Sequence, residues 1–165
     1  MLDAANIDLK SFSEDTYARL NAGKLQPVLN TLKILKEEGV WVEASNLVIP
    51  KCSDNFDMIK RMCEWLAKNG FHDHPLHFIR FFPMYKLTDV PPTPFETMVK
   101  AREIAQSLGF NYVYIGNVPG ASTENTVCPT CKKPVIQRKG FTVIANHLEH
   151  GKCKVCGQKV NGVWG

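Results

Sequence analysis

Nowhere in the 165 residues does an apolar run reach 18 positions, and no segment has the layout of a signal peptide. These absences argue against a membrane span and a secretory route, so a reducing, cytoplasmic setting is expected. Dinucleotide, zinc-protease and serine-hydrolase signatures are missing too: no G-x-G-x-x-G follows a strand-like run, and neither H-E-x-x-H nor a Ser-His-Asp order occurs. Acidic residues are scarce at one end only. Residues 121–165 carry two Asp/Glu against seven Lys/Arg, whereas residues 1–120 carry 14 against 13. The net charge of +4 therefore belongs to the tail, which confines any nucleic-acid footprint to that end.

What is present first is alternation of strand-like and helix-like text. "NIDLK" reads as a strand ending in two ionisable groups, and Ser13 can cap a short helix with Glu14 and Asp15 in its first turn. A second helix over 26–38 carries Val28, Leu29, Leu32 and Leu35 on one face and stops at Gly39. "VWVEASNLVI" (40–49) is a strand closed by Pro50. Ser53 or Asp54 starts a helix striped by Ile59, Met62, Cys63 and Leu66, and "LHFIRFF" (76–82) follows as a strand. Thr93-Pro94-Phe95-Glu96 combines a capping Thr, a Pro at the first helical position and a Glu suited to a capping box. That helix ends at Gly109, ahead of the strand "YVYI" (112–115).

The resulting β-α-β-α-β-α-β order predicts an α/β fold with a parallel sheet of about four strands. A doubly wound sheet and an arc of a (β/α) barrel both satisfy the pattern. Polar residues at or inside the strands favour the arc: Asp8 and Lys10, Glu43 and Asn46, His77 and Arg80 are where a ligand-binding barrel would place them. The competing reading is ordinary strand-end charge. In an extended strand His77 and Arg80 point to opposite faces, and a buried, partnered histidine is as good a reading of His77 as a ligand contact. The His72-Asp73-His74 run reads first as a polar turn.

Residues 117–127 have linker composition, so the chain divides into a barrel-like part (1–118) and a small module (119–165). In the module, Cys128, Cys131, Cys153 and Cys156 form two C-x2-C pairs separated by 21 residues. Two intervening residues let both thiolates of a pair reach one ion from a tight turn, and Gly157 supplies a left-handed backbone position. The pattern is a zinc ribbon with a hairpin turning near Lys139-Gly140; a rubredoxin-like iron is the metal alternative, and His147 and His150 are surface or hairpin residues. Zinc is expected in a structural role, because so short a segment has little core of its own. Four thiolates on Zn²⁺ lower the tail's formal charge to about +3, which weakens nucleic-acid binding by Lys132, Lys133, Arg138, Lys139, Lys152, Lys154 and Lys159. Cys63 reads as a small core residue.

Across nearly its whole length the chain resembles a known family. "NIDLKSFSEDTY", "VWVEASNLVIPKCSDN", "HPLHFIRFFPMYKLTDVPPTP", "YVYIGNVPG" and "CPTCKKPVIQRKGF…GKCKVCGQKVNGVW" are similar, in order, to the C-terminal half of the AmmeMemoRadiSam-system radical SAM enzymes, relatives of pyruvate formate-lyase activating enzymes. The resemblance implies part of a (β/α)6 barrel that holds a [4Fe–4S] cluster and S-adenosylmethionine, with reductive cleavage to a 5′-deoxyadenosyl radical. It brings Asp8, Lys10, His77 and Arg80 to the cofactor or substrate end of the barrel, with Glu43 and Asn46 lining the strand between. The cysteine pairs match the family's C-terminal metal-ribbon extension.

The family's C-x3-C-x2-C cluster loop does not occur among these residues. The chain alone is therefore expected to be inactive in radical cleavage, as a fragment, a split-gene product or a stand-alone descendant, with Met1 as a boundary within a domain. The cluster would then be held by a missing segment or a companion chain. Expected partners are that chain, a MEMO-like or AMMECR-like protein, or a second copy, since an open half-barrel exposes strand edges. The alternative is a stand-alone zinc-ribbon binding protein for nucleic acid or a protein partner.

Overall fold

The structure, a computed structural model, describes residues 2–120 and 122–164. Four parallel strands, β1 (Ala4–Asp8), β2 (Trp41–Val48), β3 (Leu76–Arg80) and β4 (Val113–Gly116), lie side by side in chain order. Helices α1 (Glu14–Asn21) and α2 (Leu25–Glu37) connect β1 to β2, α3 (Phe56–Lys68) connects β2 to β3, and α4 (Phe95–Ser107) connects β3 to β4.

The strand order never reverses, and one apolar cluster joins all four helices to Val42, Ala44, Val48, Leu76, Phe78 and Ile115 of the sheet. All helices thus cover one face. A doubly wound sheet needs a reversal and helices on both faces, so the fold is the barrel-arc or open-sheet alternative. Period-two alternation does the sorting: along β2 the even positions are buried and the odd ones half-buried, which leaves the odd face to other uses. Cys63 is fully buried in α3, where burial pushes its thiol up to about 12, as a core residue requires.

Ser13 caps α1 by accepting from Thr16 N, as the sequence predicts. Two other helix starts differ. Asn55, and neither Ser53 nor Asp54, caps α3 by accepting from Met58 N at 2.9 Å. Ser53 is instead occupied locally, donating to Leu47 O and accepting from Ile49 N. Pro94 occupies the cap position of α4 with no side-chain cap, because the Thr93 hydroxyl is spent elsewhere. It donates to Val48 O (2.6 Å) and accepts from Phe81 N (3.2 Å), tying the long loop after β3 to the ends of two strands.

The linker-like stretch holds more structure than its composition suggests, with a 3-10 turn at Ser122–Glu124 followed by β5 (Thr126–Val127). β5, β6 (Pro134–Lys139) and β7 (Thr142–Asn146) form an antiparallel sheet whose hairpin turns at Gly140-Phe141, and β8 (Leu148–Glu149) pairs with β9 (Lys152–Cys153). This module packs against the helix-free face of the parallel sheet. Tyr112 and Tyr114 share a second buried cluster with Val135, Val160, Cys128 and Cys153.

Candidate functional site

The strand register places polar side chains of the helix-free face in rows. Asp8 pairs with Ser45, Ser45 with His77, and His77 with Tyr114, so a single row crosses all four strands. One row nearer the strand starts, Asn6 lies beside Glu43; one row nearer the ends, Leu47 and Ile79 lead to Gly116. His77 Nε2 donates to Glu43 Oε2 at 2.9 Å, and the imidazole stacks on Tyr114 with ring centres 4.9 Å apart. The hydrogen bond from His77 holds the Glu43 carboxyl below its ordinary value against the opposing effect of burial, with smaller help from the nearby charges of His77 and Arg138. Glu43 is thus an anion at neutral pH.

At the β1 end, Lys10 Nζ reaches Asp8 Oδ2 at 2.9 Å and both remain partly exposed. Lys10 also lines a cavity of about 370 Å³ at the strand ends, together with Arg19, Ile49, Met84, Tyr85 and Lys86. Ligands of parallel α/β folds bind at that end of the strands.

The six barrel positions therefore do not form one cluster. Asp8, Lys10, Glu43 and His77 belong to the helix-free side, whereas Asn46 alternates away from Glu43 and is completely buried. Its Nδ2 donates to Leu9 O at 2.7 Å, while its Oδ1 has no partner among the described residues. Arg80 likewise alternates away from His77. Its Nε donates to Thr93 O at 2.7 Å and its guanidinium lies 4.9 Å from the Phe82 ring centre. His74 serves the strand edge, with Nδ1 2.9 Å from Val42 O and its ring stacked on Trp41.

Two residues outside the sequence-derived set join the helix-free face. Tyr114 OH meets Thr126 Oγ1 at 3.0 Å, and Thr126 Oγ1 accepts from Arg138 Nη1 at 2.9 Å. The signal for Tyr114 was available in "NYVYIG", where two tyrosines two apart must share a face of the last strand. Arg138 carried no such signal and was grouped with the module's surface cations.

The second site is the cysteine centre. The Sγ atoms of Cys128, Cys131, Cys153 and Cys156 all lie within 4.8 Å of one another, with Cys128–Cys156 at 3.6 Å and Cys131–Cys153 at 3.8 Å. Four sulfurs about 2.3 Å from one tetrahedral ion are about 3.8 Å apart, so these thiols fit a single metal. A [4Fe–4S] cluster gives each thiolate its own iron and needs a wider spread.

The two knuckles share one backbone plan. Cys128 N donates to Lys133 O and Cys153 N to Gln158 O, each at 2.9 Å. Four positions after each first cysteine the chain turns left-handed, at Lys132 (φ 60°) and Gly157 (φ 73°). The sequence advertised only the glycine. Backbone N–H groups of Cys156 and Val155 bring the Cys153 thiol down, whereas Cys156, against the Gln158 N–H, is raised by desolvation and by the three neighbouring thiols, so without an ion the four sulfurs share their protons unevenly. Neither His147 nor His150 belongs to the cluster.

No family model matches the chain. It is 45% identical over 162 residues, 97% of its length, to an uncharacterized protein of Methanocaldococcus jannaschii, and spans 48% of that protein. Among solved structures it is similar in fold to a domain of pyruvate-formate lyase-activating enzyme from Bacteroides vulgatus, at a TM-score of 0.62 and 16% identity over 70% of this chain and 68% of that one. A radical SAM methyltransferase from Sphaerobacter thermophilus aligns at a TM-score of 0.47 and 14% identity over 68% of this chain and 33% of that one, too distant to argue from. Among the described residues no helix is long and apolar enough to cross a membrane.

Proposed function

We propose that this chain is the C-terminal portion of a radical SAM enzyme of the AmmeMemoRadiSam type, contributing contacts to S-adenosylmethionine or the substrate. The observation that carries the proposal is the convergence of Asp8, Lys10, Glu43 and His77 on the helix-free side of a barrel-arc sheet. In a closed barrel that side is the interior. The likeness to the activating-enzyme domain supports the fold behind this reading and nothing finer.

Asp8 and Lys10 would present one charge of each sign to polar groups of the ligand, and Glu43 would keep His77 oriented. Asn46 and Arg80 act by position: Asn46 fixes the end of β1 through Leu9, and Arg80 fixes the loop after β3 through Thr93. S-adenosylmethionine and a [4Fe–4S] cluster would supply the radical chemistry, the cluster held by a segment outside these residues or by a companion chain. In this reading the chain acts in the cytoplasm and does not cleave S-adenosylmethionine alone. The cysteine centre holds one zinc ion in a structural role, since four thiolates leave no open coordination position.

The test is equilibrium dialysis of the full chain against labelled S-adenosylmethionine, beside an anaerobic reconstitution with iron and sulfide. Binding that weakens in Asp8→Asn and Lys10→Ala, without cleavage, is the expected result. Turnover by the chain alone would overturn the claim that the cluster lies elsewhere, and binding indifferent to both substitutions would overturn the assignment of the face.

A further inference from the structure

Between the helix-free face and the cysteine module lies a cavity of about 340 Å³, bordered by Glu43, His77 and Tyr114 on the sheet side and Glu124, Arg138 and Phe141 on the module side. Its size is at the lower end of small-molecule pockets. Arg138 also borders two neighbouring cavities and is the module's cation nearest to Glu43 in effect, since its charge helps to hold that carboxyl down.

Arg138 is held in place by the local fold. The β6–β7 ladder shifts register between Gln137 and Arg138, with Ile144 of β7 as the extra residue, and Arg138 stays paired with Val143. On the opposite edge of β6, beside the start of β5, Asn125 Oδ1 accepts the Arg138 N–H at 2.7 Å. Both hydrogens of Nη1 are then used, on Glu124 O at 3.0 Å and Thr126 Oγ1 at 2.9 Å. For Nε and Nη2 the described residues offer no hydrogen-bond acceptor, and no carboxylate among them lies within ion-pair distance of the guanidinium. The unused edge is the side-on fork that matches a carboxylate with two parallel hydrogen bonds.

We propose that Arg138 makes the cysteine module a wall of a ligand site on the helix-free face, and that the site takes a small molecule bearing a carboxylate. A phosphate is the poorer fit. Glu43 and Glu124 border the cavity beside its one guanidinium, and their negative charge opposes any anion, a dianion more than a monoanion. Tyr114 and Phe141 add aromatic surface for an apolar body attached to that carboxylate. The proposal rests on the reading of this face as a binding surface, and adds residues and a ligand class to it. Two sources share the chemistry: the amino-acid end of S-adenosylmethionine, or a second substrate.

The experiment titrates the full metal-loaded chain with benzoate, and separately with neutral benzamide, while the backbone amide resonances of Gly116, Asn117, Gly140 and Phe141 are followed by NMR. Saturable shifts with benzoate and none with benzamide are expected. Arg138→Lys keeps the charge but removes the fork, and should weaken benzoate binding by about tenfold or more. Metal content and the dispersion of the spectrum report that the variant is folded; if it is not, Arg138→Gln and Phe141→Ala provide the same comparison. A parallel titration compares S-adenosylmethionine with its decarboxylated form. Arg138→Lys weakening only the carboxylated form assigns the fork to the cofactor, while loss of benzoate alone assigns it to a second substrate; both support the proposal. Absence of benzoate shifts in the wild type, or equal affinity in Arg138→Lys, overturns it. Failure of S-adenosylmethionine to bind in any form counts against the proposed function and leaves the benzoate result to decide this inference.

Discussion

Removing the ion from the four-cysteine centre is expected to unfold the module while the parallel sheet and its helices stay folded. The module's buried apolar side chains are few, Val135, Val160 and Ile136, with Tyr112 and Tyr114 borrowed from the sheet edge. A structural zinc site contributes about 10–16 kcal/mol, as much as or more than the ~5–15 kcal/mol that stabilises a whole domain. A zinc ion at the four cysteines would thus be the larger part of what holds β5 to β9 together. The parallel sheet has its own core, running from Leu29 and Leu32 through Phe78 to Met98 and Ile115. Hydrogen exchange read by mass spectrometry, before and after chelation, should show protection lost across β6 to β9 and kept in β2, β3 and α3. Tyr112 and Tyr114 should become exposed at the same step. Cys131→Ser should reproduce the effect and Cys52→Ser should not, since Cys52 stands outside the cluster. Unchanged protection of β6 to β9 in metal-free protein would refute the reasoning.

Other perturbations probe the sheet. The depressed Glu43 carboxyl stabilises the fold above its ordinary range and loses that contribution as pH falls through its lower folded value, so Glu43→Gln should flatten the acid limb of the melting temperature below the ordinary carboxylate range; because Glu43 is 38% exposed, the loss at neutral pH should stay within about 1 kcal/mol. His77→Ala removes the Glu43 bond and the Tyr114 stack together, and urea denaturation should report a loss of about 1–3 kcal/mol. Thr93→Val leaves Phe81 N and Val48 O without their hydroxyl partner in a buried setting, for an expected loss of about 2–4 kcal/mol in the same assay. Neutralising Lys132, Lys133 and Lys139, all exposed, should leave a low-salt gel-shift assay with RNA or DNA unchanged; a wild-type shift that these changes abolish would favour the nucleic-acid alternative.

The element order and the cysteine centre could be read from the chain because each rests on local spacing. Amphipathic stripes define the helices one at a time, and two C-x2-C turns define a metal site without reference to anything distant. The choice between a barrel arc and a doubly wound sheet rested on strand order, which is a long-range property that periodicity does not encode. Asn46 sits three residues from Glu43 on one strand, a separation that reverses the face, as the alternation of His77 and Arg80 already indicates in the sequence. Thr93 looked like a cap because its local text is a capping text; a tertiary bond to Val48, 45 residues away, won instead. Arg138 was illegible for a related reason. Its orientation depends on hydrogen bonds to Asn125, Glu124 and Thr126, none of which announces a held guanidinium in the sequence.

The most direct test of the assignment is a backbone chemical-shift map of the full chain titrated with S-adenosylmethionine. The account predicts saturable shifts at Asp8, Lys10, Ser45 and His77 that fade in Lys10→Ala, with α3 and α4 unmoved. Shifts confined to the helices or to the exposed lysines of the cysteine module, or no shifts at all, would contradict it.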